Sequence, residues 1–316
     1  MKRKRILSCA AVALLLVAAV AFAAFGQSPA HAATIDDAIC ETYKPSGTQR
    51  LTGAPAIILE ANDKTALNTI GGGGERPTCV ILNFGADGKA ADADGNGLCD
   101  FETLYKTVLK GKIIPVLRVN TESAADAMID FYLNKTSIID SAVLSSDPAI
   151  LKKVRKALPK IRGVYEADEN TDVKKLPWIA NAAYATTVIL TADRASTDTV
   201  AYIQARFKTV WVRTASPDAF SVSDAAASGA YGVITTDYAA AYAAFAAYPK
   251  ESLARTSFNV AHRGLPTSKN ENSVSGLLAA AKAGATHVEL DGYLTTDKKI
   301  YMLHDGSLDR TTTGTG

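Results

Sequence analysis

Eight short apolar runs, each rich in valine, isoleucine and leucine, recur along the first part of the chain. They are AIILEA (56–61), TCVILNF (78–84), KIIPVLRV (112–119), SAVLSS (141–146), IRGVYEA (161–167), TTVILTA (186–192), TVWVRT (209–214) and YGVITTD (231–237). Between them lie stretches with the apolar spacing of amphipathic helices, such as 124–133, 149–157 and 199–207. Continuous apolar strands separated by helices are typical of a parallel sheet covered by helices. Eight of them in about 200 residues predict a (β/α)8 TIM-type barrel over residues 51–248, with a doubly wound open sheet as the alternative.

A second pattern begins after the polar connector PKESLARTS (249–257). Residues 258–316 open with a short apolar run and continue with a helical stretch over 273–283. A second run ends at Glu289, and a short strand is expected at 300–303. This amounts to about the first quarter of a barrel. The predicted architecture is therefore a complete barrel followed by the truncated start of a second one.

The residues with the clearest chemistry lie in this last segment. From Ala33 onward the chain contains three histidines, His262, His287 and His304, and all of them are here. Glu289 and Asp291 stand two residues apart at a strand end, where side chains at positions i and i+2 face the same side. Two carboxylates so placed can reach one hard divalent cation, and oxygen ligands suit calcium and magnesium equally.

Four ordered motifs, HRG, ENS, GA-x-x-VELD and LHDGSLDRTTTGTG, resemble the opening of a glycerophosphodiester phosphodiesterase. In that family two histidines act as general acid and base, an E-x-D pair binds a divalent metal, and an arginine contacts the phosphate. The resemblance implies these roles for His262 and His304, for Glu289 and Asp291, and for Arg263. His287 matches no catalytic position.

The resemblance implies an enzyme that hydrolyses a glycerophosphodiester to an alcohol and glycerol 3-phosphate. The substrate would be a small glycerophosphodiester or a glycerol-phosphate polymer. A phospholipase of the same barrel superfamily is an alternative. The family's third metal carboxylate comes from a later strand, so we expect the 316 residues alone to lack appreciable activity.

The first barrel resembles the same family more faintly and departs from it at the site. Residues 57–62 stand in the place of VAHRG without a histidine or an arginine, and Ile81 and Asn83 stand where the second module has Glu289 and Asp291. Between Ala33 and Ala261 there is no histidine at all. We therefore expect this barrel to be non-catalytic and to serve in binding or scaffolding instead.

The N-terminus has the form of a secretory signal. A basic start, MKRKR, precedes an apolar run from Ile6 to Phe25, and Ala30-His31-Ala32 provides an A-x-A cleavage site. We predict a signal peptide over 1–32, a linker over 33–50, and a secreted or cell-envelope protein that associates with the cell envelope or a membrane surface. A retained apolar run of this length would instead act as an anchor.

Charge and cysteine content bear on two further properties, nucleic-acid binding and disulfide bonding. The formal net charge is +2, which gives no indication of nucleic-acid binding. Cys40, Cys79 and Cys99 remain after the leader, and in an oxidising compartment they allow one disulfide or none.

Two acidic segments of the first barrel are candidates for functional sites. Residues 92–97, DADGNG, resemble the start of a calcium loop, but Thr103 stands at the twelfth position, where the full motif has glutamate. A polar turn is therefore the favoured reading. Glu166-Ala167-Asp168 closes the fifth strand at the end where barrel sites form, and there we favour a solvated loop.

Overall fold

The computed structural model describes residues 51–61, 66–67, 70, 74–91, 97–134, 140–249, 252–255 and 258–316. The predicted signal peptide, the linker 33–50, Cys40 and most of the DADGNG segment lie outside these residues. The chain divides into two compact units, Met1–Ala254 and Arg255–Gly316, and the division falls inside the segment 249–257.

The first unit contains a closed barrel of eight parallel strands. They are β1 (Ala56–Glu60), β2 (Cys79–Phe84), β3 (Ile114–Arg118), β4 (Ala142–Ser145), β5 (Arg162–Glu166), β6 (Thr187–Thr191), β7 (Thr209–Arg213) and β8 (Gly232–Thr235). Each pairs with the next, and β8 pairs with β1, so the sheet has closed on itself. The predicted barrel is confirmed, and the open-sheet alternative is wrong.

Among the elements that the structure describes in this unit, seven helices connect or follow the strands. They are α1 (Phe101–Leu104), α2 (Glu122–Asn134), α3 (Pro148–Ala157), α4 (Leu176–Ala182), α5 (Thr197–Gln204), α6 (Ala219–Ala227) and α7 (Tyr238–Ala246). A π-helical turn, Tyr105–Leu109, continues α1, and 3₁₀ turns cover Val173–Lys175 and Ala192–Arg194. Asp147, Ser196, Asp218 and Asp237 begin four of the helices by accepting backbone N–H groups of the first turn.

Other short strands complete the unit. Lys89–Ala91 pairs antiparallel with the end of β2 and with Gly97–Asp100, and Leu51–Thr52 pairs with Ser252–Leu253. No helix among the described residues is long and apolar enough to cross a membrane.

Two buried clusters hold the barrel together. The larger one lies between the sheet and the helices. The smaller one fills the barrel interior with side chains from every strand, among them Ile58, Ile81, Val116 and Trp211. Because both faces of the strands are buried, their sequences read as continuous apolar runs rather than as alternating ones.

The strand register places the interior side chains in layers. A path can be drawn around the barrel that starts at Glu60, crosses to the register partner on the next strand, and then moves one residue along that strand. When this step is repeated on every strand, the path returns to Glu60 after β8. This is the shear of eight typical of such barrels, in which each layer takes its side chains from alternate strands. The layer at the carboxyl ends of the strands is Glu60, Arg118, Glu166 and Arg213.

The second unit is small. It contains a parallel strand pair, β9 (Val260–His262) and β10 (His287–Glu289), and the helix α8 (Val274–Lys282) between them. An antiparallel pair follows, β11 (Tyr293–Leu294) with β12 (Ile300–Tyr301). These elements form a β-α-β unit with a hairpin, and they do not show a second barrel.

Candidate active site

The strand pair of the second unit brings His262 and Glu289 together. The two residues are register partners at the ends of β9 and β10. The imidazole Nε2 of His262 lies 3.9 Å from Oε2 of Glu289, and 70% of the histidine side chain is exposed. The ring is therefore open to a reactant while one carboxylate stands beside it.

Arg263 sits on a sharp turn that directs it towards the carboxylates. Its φ is +58°, and Gly264 follows with φ +90°. A Cβ on Gly264 would lie 2.9 Å from the backbone carbon of Gly276 in α8, so only glycine permits this approach. The backbone N–H of Arg263 donates to Oε2 of Glu289 at 3.1 Å. Its Nε lies 3.4 Å from Oδ2 of Asp291.

Asp291 is held by Asn272 through two hydrogen bonds. Asn272 Nδ2 donates to Oδ2 of Asp291 at 3.0 Å, and the backbone N–H of Asp291 donates to Oδ1 of Asn272 at 2.9 Å. Because β10 ends at Glu289, Asp291 lies just beyond the strand rather than on it. Alternation along the strand alone therefore does not orient Asp291, and Asn272 fixes it instead.

His304 belongs to a chain of charged groups that leads back to Arg263. Its Nδ1 lies 2.7 Å from Oδ1 of Asp305, and Arg310 Nε donates to the other oxygen of Asp305. Arg310 also donates to both oxygens of Glu271, at 2.9 and 2.8 Å. Oε1 of Glu271 lies 3.5 Å from Nη1 of Arg263. With Nδ1 engaged by Asp305, Nε2 of His304 is the nitrogen left for a reactant.

This network fixes the charge of its carboxylates. Hydrogen bonds from Arg310, and then from His304, hold the pKa of Asp305 well below its usual range. The hydrogen bond and charge of Arg310 also lower the pKa of Glu271. Both acids are therefore ionised at neutral pH, and neither is suited to act as a proton donor.

His287 lies on β10 and contacts Thr286 and Phe258. Its Nδ1 lies 3.0 Å from the hydroxyl of Thr286, and its ring packs against Phe258 with 4.3 Å between centroids. That His287 has no catalytic role stays a prediction.

The second unit offers two carboxylates as ligands for a divalent cation. Glu289 and Asp291 both approach Arg263, and carboxylate oxygens are the ligands that calcium and magnesium prefer. Within the described part of the chain, no group of three or more histidine, cysteine, aspartate or glutamate side chains could hold a metal. The residues present fit two ligands of such an ion.

The barrel mouth of the first unit is filled by the layer Glu60, Arg118, Glu166 and Arg213, which we call the mouth ring. Arg118 Nη2 lies 2.5 Å from Oε1 of Glu60, and its Nε lies 3.3 Å from Oε2 of Glu166. Arg213 Nε lies 2.8 Å from Oε2 of Glu60, and its Nη2 lies 2.5 Å from Oε1 of Glu166. Each arginine thus bridges both glutamates, and only 14–26% of these side chains is exposed.

The ring corrects one prediction. Glu166, which was read as part of a solvated loop, is the last residue of β5 and points into the mouth. Sequence reasoning also missed Glu60, Arg118 and Arg213 as a set. The available signal was a charged residue at the end of each odd-numbered apolar run, because alternate strands supply one layer.

At the positions equivalent to the second unit's carboxylates, the barrel has Ile81 and Asn83. Ile81 belongs to the interior apolar cluster, and Asn83 Oδ1 accepts from Arg118 at 3.3 Å. Cys79 lies in the same interior, where burial raises the pKa of its thiol to about 12. Cys79 and Cys99 form no disulfide with each other, and Cys40 lies outside the described residues.

Comparison with known proteins agrees with the second unit's motifs. Residues 262–316 match the model of the glycerophosphoryl diester phosphodiesterase family. Human glycerophosphodiester phosphodiesterase 1 is 47% identical over 57 residues, which are 18% of this chain and 17% of that protein. The glycerophosphodiester phosphodiesterase of Caldanaerobacter subterraneus is 40% identical over 57 residues, 18% of this chain and 24% of that protein. The chain thus spans about a fifth of the length of these relatives.

The fold also has a counterpart among solved structures. A protein from Agrobacterium tumefaciens that bears the name glycerophosphoryl diester phosphodiesterase aligns with a TM-score of 0.51. The match has 11% identity and covers 61% of this chain and 97% of the other. This is more than the second unit could supply, so the likeness includes the barrel and concerns fold alone. Over residues 262–316, the chain is thus similar to the glycerophosphoryl diester phosphodiesterase family.

Proposed function

We propose that this protein is an exported, metal-dependent phosphodiesterase that hydrolyses glycerophosphodiesters to an alcohol and glycerol 3-phosphate. The observation that carries the proposal is the connected network of the second unit. It joins His262, Arg263, Glu289, Asp291 and His304 within a segment that matches the family. The whole protein's activity is inferred here from this one segment.

In this proposal the two imidazoles divide the proton transfers. Imidazole titrates near neutral pH, so one ring takes a proton from the attacking hydroxyl or water and the other gives one to the departing alkoxide. Asp305 holds His304 with Nε2 free for its transfer. Arg263 lies beside the carboxylates, and its guanidinium can bind two phosphate oxygens of the substrate.

Glu289 and Asp291 would hold calcium or magnesium. When bound, the ion screens the phosphate charge and polarises its oxygens. Asn272 holds Asp291 through two hydrogen bonds, which limits the orientations open to its carboxylate. The leader supports export to the cell envelope or the medium, where either a small diester or a glycerol-phosphate polymer would be the substrate.

The test compares three histidines in the protein expressed from its complete coding sequence. We expect His262→Ala and His304→Ala each to lower turnover by about 10²-fold or more, since positioned proton transfer contributes 10²–10⁴. His287→Ala is the matched control and should change it little. Release of glycerol 3-phosphate from glycerophosphocholine and from a glycerol-phosphate polymer is the measurement. Equal losses at all three positions would show that the acid–base pair is misassigned.

The metal has its own test. Dialysis against a chelator should abolish turnover, and calcium or magnesium should restore it. Asp291→Asn should weaken ion binding, measured by calorimetry, together with turnover. Full activity in chelator-treated protein would remove the ion and the proposed roles of Glu289 and Asp291.

The mouth ring favours a second role for the first barrel, namely non-catalytic binding or scaffolding. Four side chains that bond to one another fill the end where barrel enzymes place their sites. Any hydrolysis that survives in the His262→Ala/His304→Ala double variant would come from this barrel and would contradict the assignment.

A further inference from the structure

The helices α4 and α5 of the first barrel end in an unusual way. Tyr184 and Phe207 follow them with φ of +57° and +58°, and each donates its backbone N–H to a carbonyl three residues back. Gly229 makes the same turn after α6, and Gly284 makes it after α8. The left-handed conformation is strained for a side chain and favours glycine. At two of the four equivalent turns, the chain therefore keeps an aromatic residue at a conformational cost.

Both aromatic residues are exposed. Phe207 is 75% exposed and Tyr184 is 49% exposed, so burial in the described structure does not offset the strain. Both lie at the end of the barrel where the strands begin, because each helix runs back from the carboxyl end of one strand to the start of the next. Trp178 on α4 is 70% exposed as well.

Two cations share a cavity with Trp178. A cavity of about 200 Å³ is lined by Pro177, Trp178, Asn181, Arg206 and Lys208. Arg206 stacks on Tyr202 at 3.6 Å, and Lys208 lies 3.4 Å from Oδ1 of Asn181. Neither cation forms an ion pair with a carboxylate among the described residues. Partial burial lowers the pKa of Lys208, and a nearby anion would raise it again.

The three segments that carry these residues and the adjacent lysines contain no acidic residue. Residues 151–165, 173–192 and 199–217 hold no aspartate or glutamate, while the end of α3 adds the exposed Lys156 and Lys160. Arg155 on α3 donates to the carbonyl oxygen of Tyr184 at 3.2 Å, which places that helix end against Tyr184. We call Trp178, Tyr184, Arg206, Phe207 and Lys208 the aromatic–basic patch.

We propose that the aromatic–basic patch docks the first barrel on the surface of an anionic lipid bilayer. Aromatic rings settle at the level of the lipid headgroups, and lysine and arginine beside them are attracted to anionic lipid. A soluble polyanion would satisfy the cations but would leave the three rings in water. The inference is independent of the catalytic proposal, because binding is measured without turnover.

The test is vesicle flotation with the chain from Ala33 to Gly316, so that the apolar leader cannot insert by itself. Vesicles of phosphatidylglycerol and phosphatidylcholine should bind the protein, and vesicles of phosphatidylcholine alone should bind it far less. Lys208→Gln should weaken binding about fivefold, as expected for one cation near an anionic surface. Phe207→Gly should weaken binding by at least as much.

Controls separate docking from folding. Phe207→Gly relieves a left-handed side chain, so its Tm should be unchanged or higher while binding falls. Phe220 on α6 is 81% exposed, and it lies at the opposite end of the barrel, so Phe220→Ala should bind as the parent does.

Three results would overturn the proposal. They are no preference for anionic vesicles, an equal loss in Phe220→Ala, and full competition by a soluble glycerol-phosphate polymer with no effect of Phe207→Gly. The last result would assign the cations to a polymer instead of a membrane.

Discussion

At the scale of single residues, the mouth ring shows how charge can fill a barrel. Burial alone would raise the pKa of Glu60, but the hydrogen bond and charge of Arg213, and then those of Arg118, outweigh it and hold the pKa below its usual value. The glutamate stays ionised because both arginines reach it. Removing one arginine leaves two partly buried glutamates to share a single cation, so that one negative charge is uncompensated and the loss exceeds what the intact ring contributes.

We predict that Arg213→Met lowers the free energy of unfolding of the barrel by about 3 kcal/mol, the low end for a broken buried pair because the ring is partly exposed. Replacing all four ring residues by methionine should recover most of this loss, since no charge is then left unpaired. Urea denaturation followed by tryptophan fluorescence reports the barrel alone, because Trp178 and Trp211 are the two tryptophans of the chain. A quadruple variant less stable than Arg213→Met would contradict this account.

A second prediction concerns Asp305, which we treat as a positioning residue for His304. In the protein from the complete coding sequence, Asp305→Asn should lower kcat at least about tenfold with little change in KM, because such partners orient an imidazole without touching the substrate. Asp309 lies on the same loop and bonds to Gly316 instead, so Asp309→Asn is the control. A change confined to KM would assign Asp305 to substrate binding.

At the scale of elements, β7 and β8 fit together through a large and a small residue. Trp211 and Gly232 are register partners inside the barrel. A Cβ on Gly232 would lie 2.5 Å from Cδ1 of Ile58 and 2.5 Å from Cδ1 of Trp211. The tryptophan ring thus occupies the space that a side chain on β8 would need.

We therefore expect Gly232→Ala to lower the stability of the barrel by about 1–3 kcal/mol through overpacking. Trp211→Leu should lower stability by leaving a cavity. The double variant should lose less than the sum of the two, because the new methyl group enters the space that the ring has left. Thermal unfolding followed by circular dichroism measures this coupling, and strict additivity would show that the two side chains do not compete.

At the scale of the whole molecule, the two units use acidic residues in different ways. The barrel pairs glutamates and arginines from four different strands in one layer, while the second unit pairs Glu271 and Asp305 with Arg310 in the segment that carries the candidate site. Charge therefore supports structure in the first unit and positions a candidate site in the second.

The pH dependence of the barrel follows from Glu60. A carboxyl group whose pKa is lower in the folded state contributes stability that is present above its unfolded value and lost as the pH falls through the folded value. Acidification below the ordinary glutamate value of 4.5 should thus weaken the barrel. The variant with four methionines in the mouth ring lacks this group and should show a shallower loss in urea titrations between pH 7 and pH 3. If the parent and this variant lost stability equally as the pH fell, the acid sensitivity would come from groups other than the mouth ring.

The sequence by itself determined the strands, because a strand buried on both faces must be apolar throughout, and all eight runs are strands in the structure. It also indicated the similarity of residues 262–316 to a phosphodiesterase family, through motifs that lie close together along the chain.

The tertiary structure decided what depends on distant residues. Barrel closure requires the pairing of β8 with β1, and the mouth ring requires four charges spread over more than 150 positions to meet in one layer. The Asn272 clamp on Asp291 and the link from His304 to Arg263 depend in the same way on side-chain geometry. Local pattern specifies which face of an element is buried, but only packing specifies which side chains meet across it.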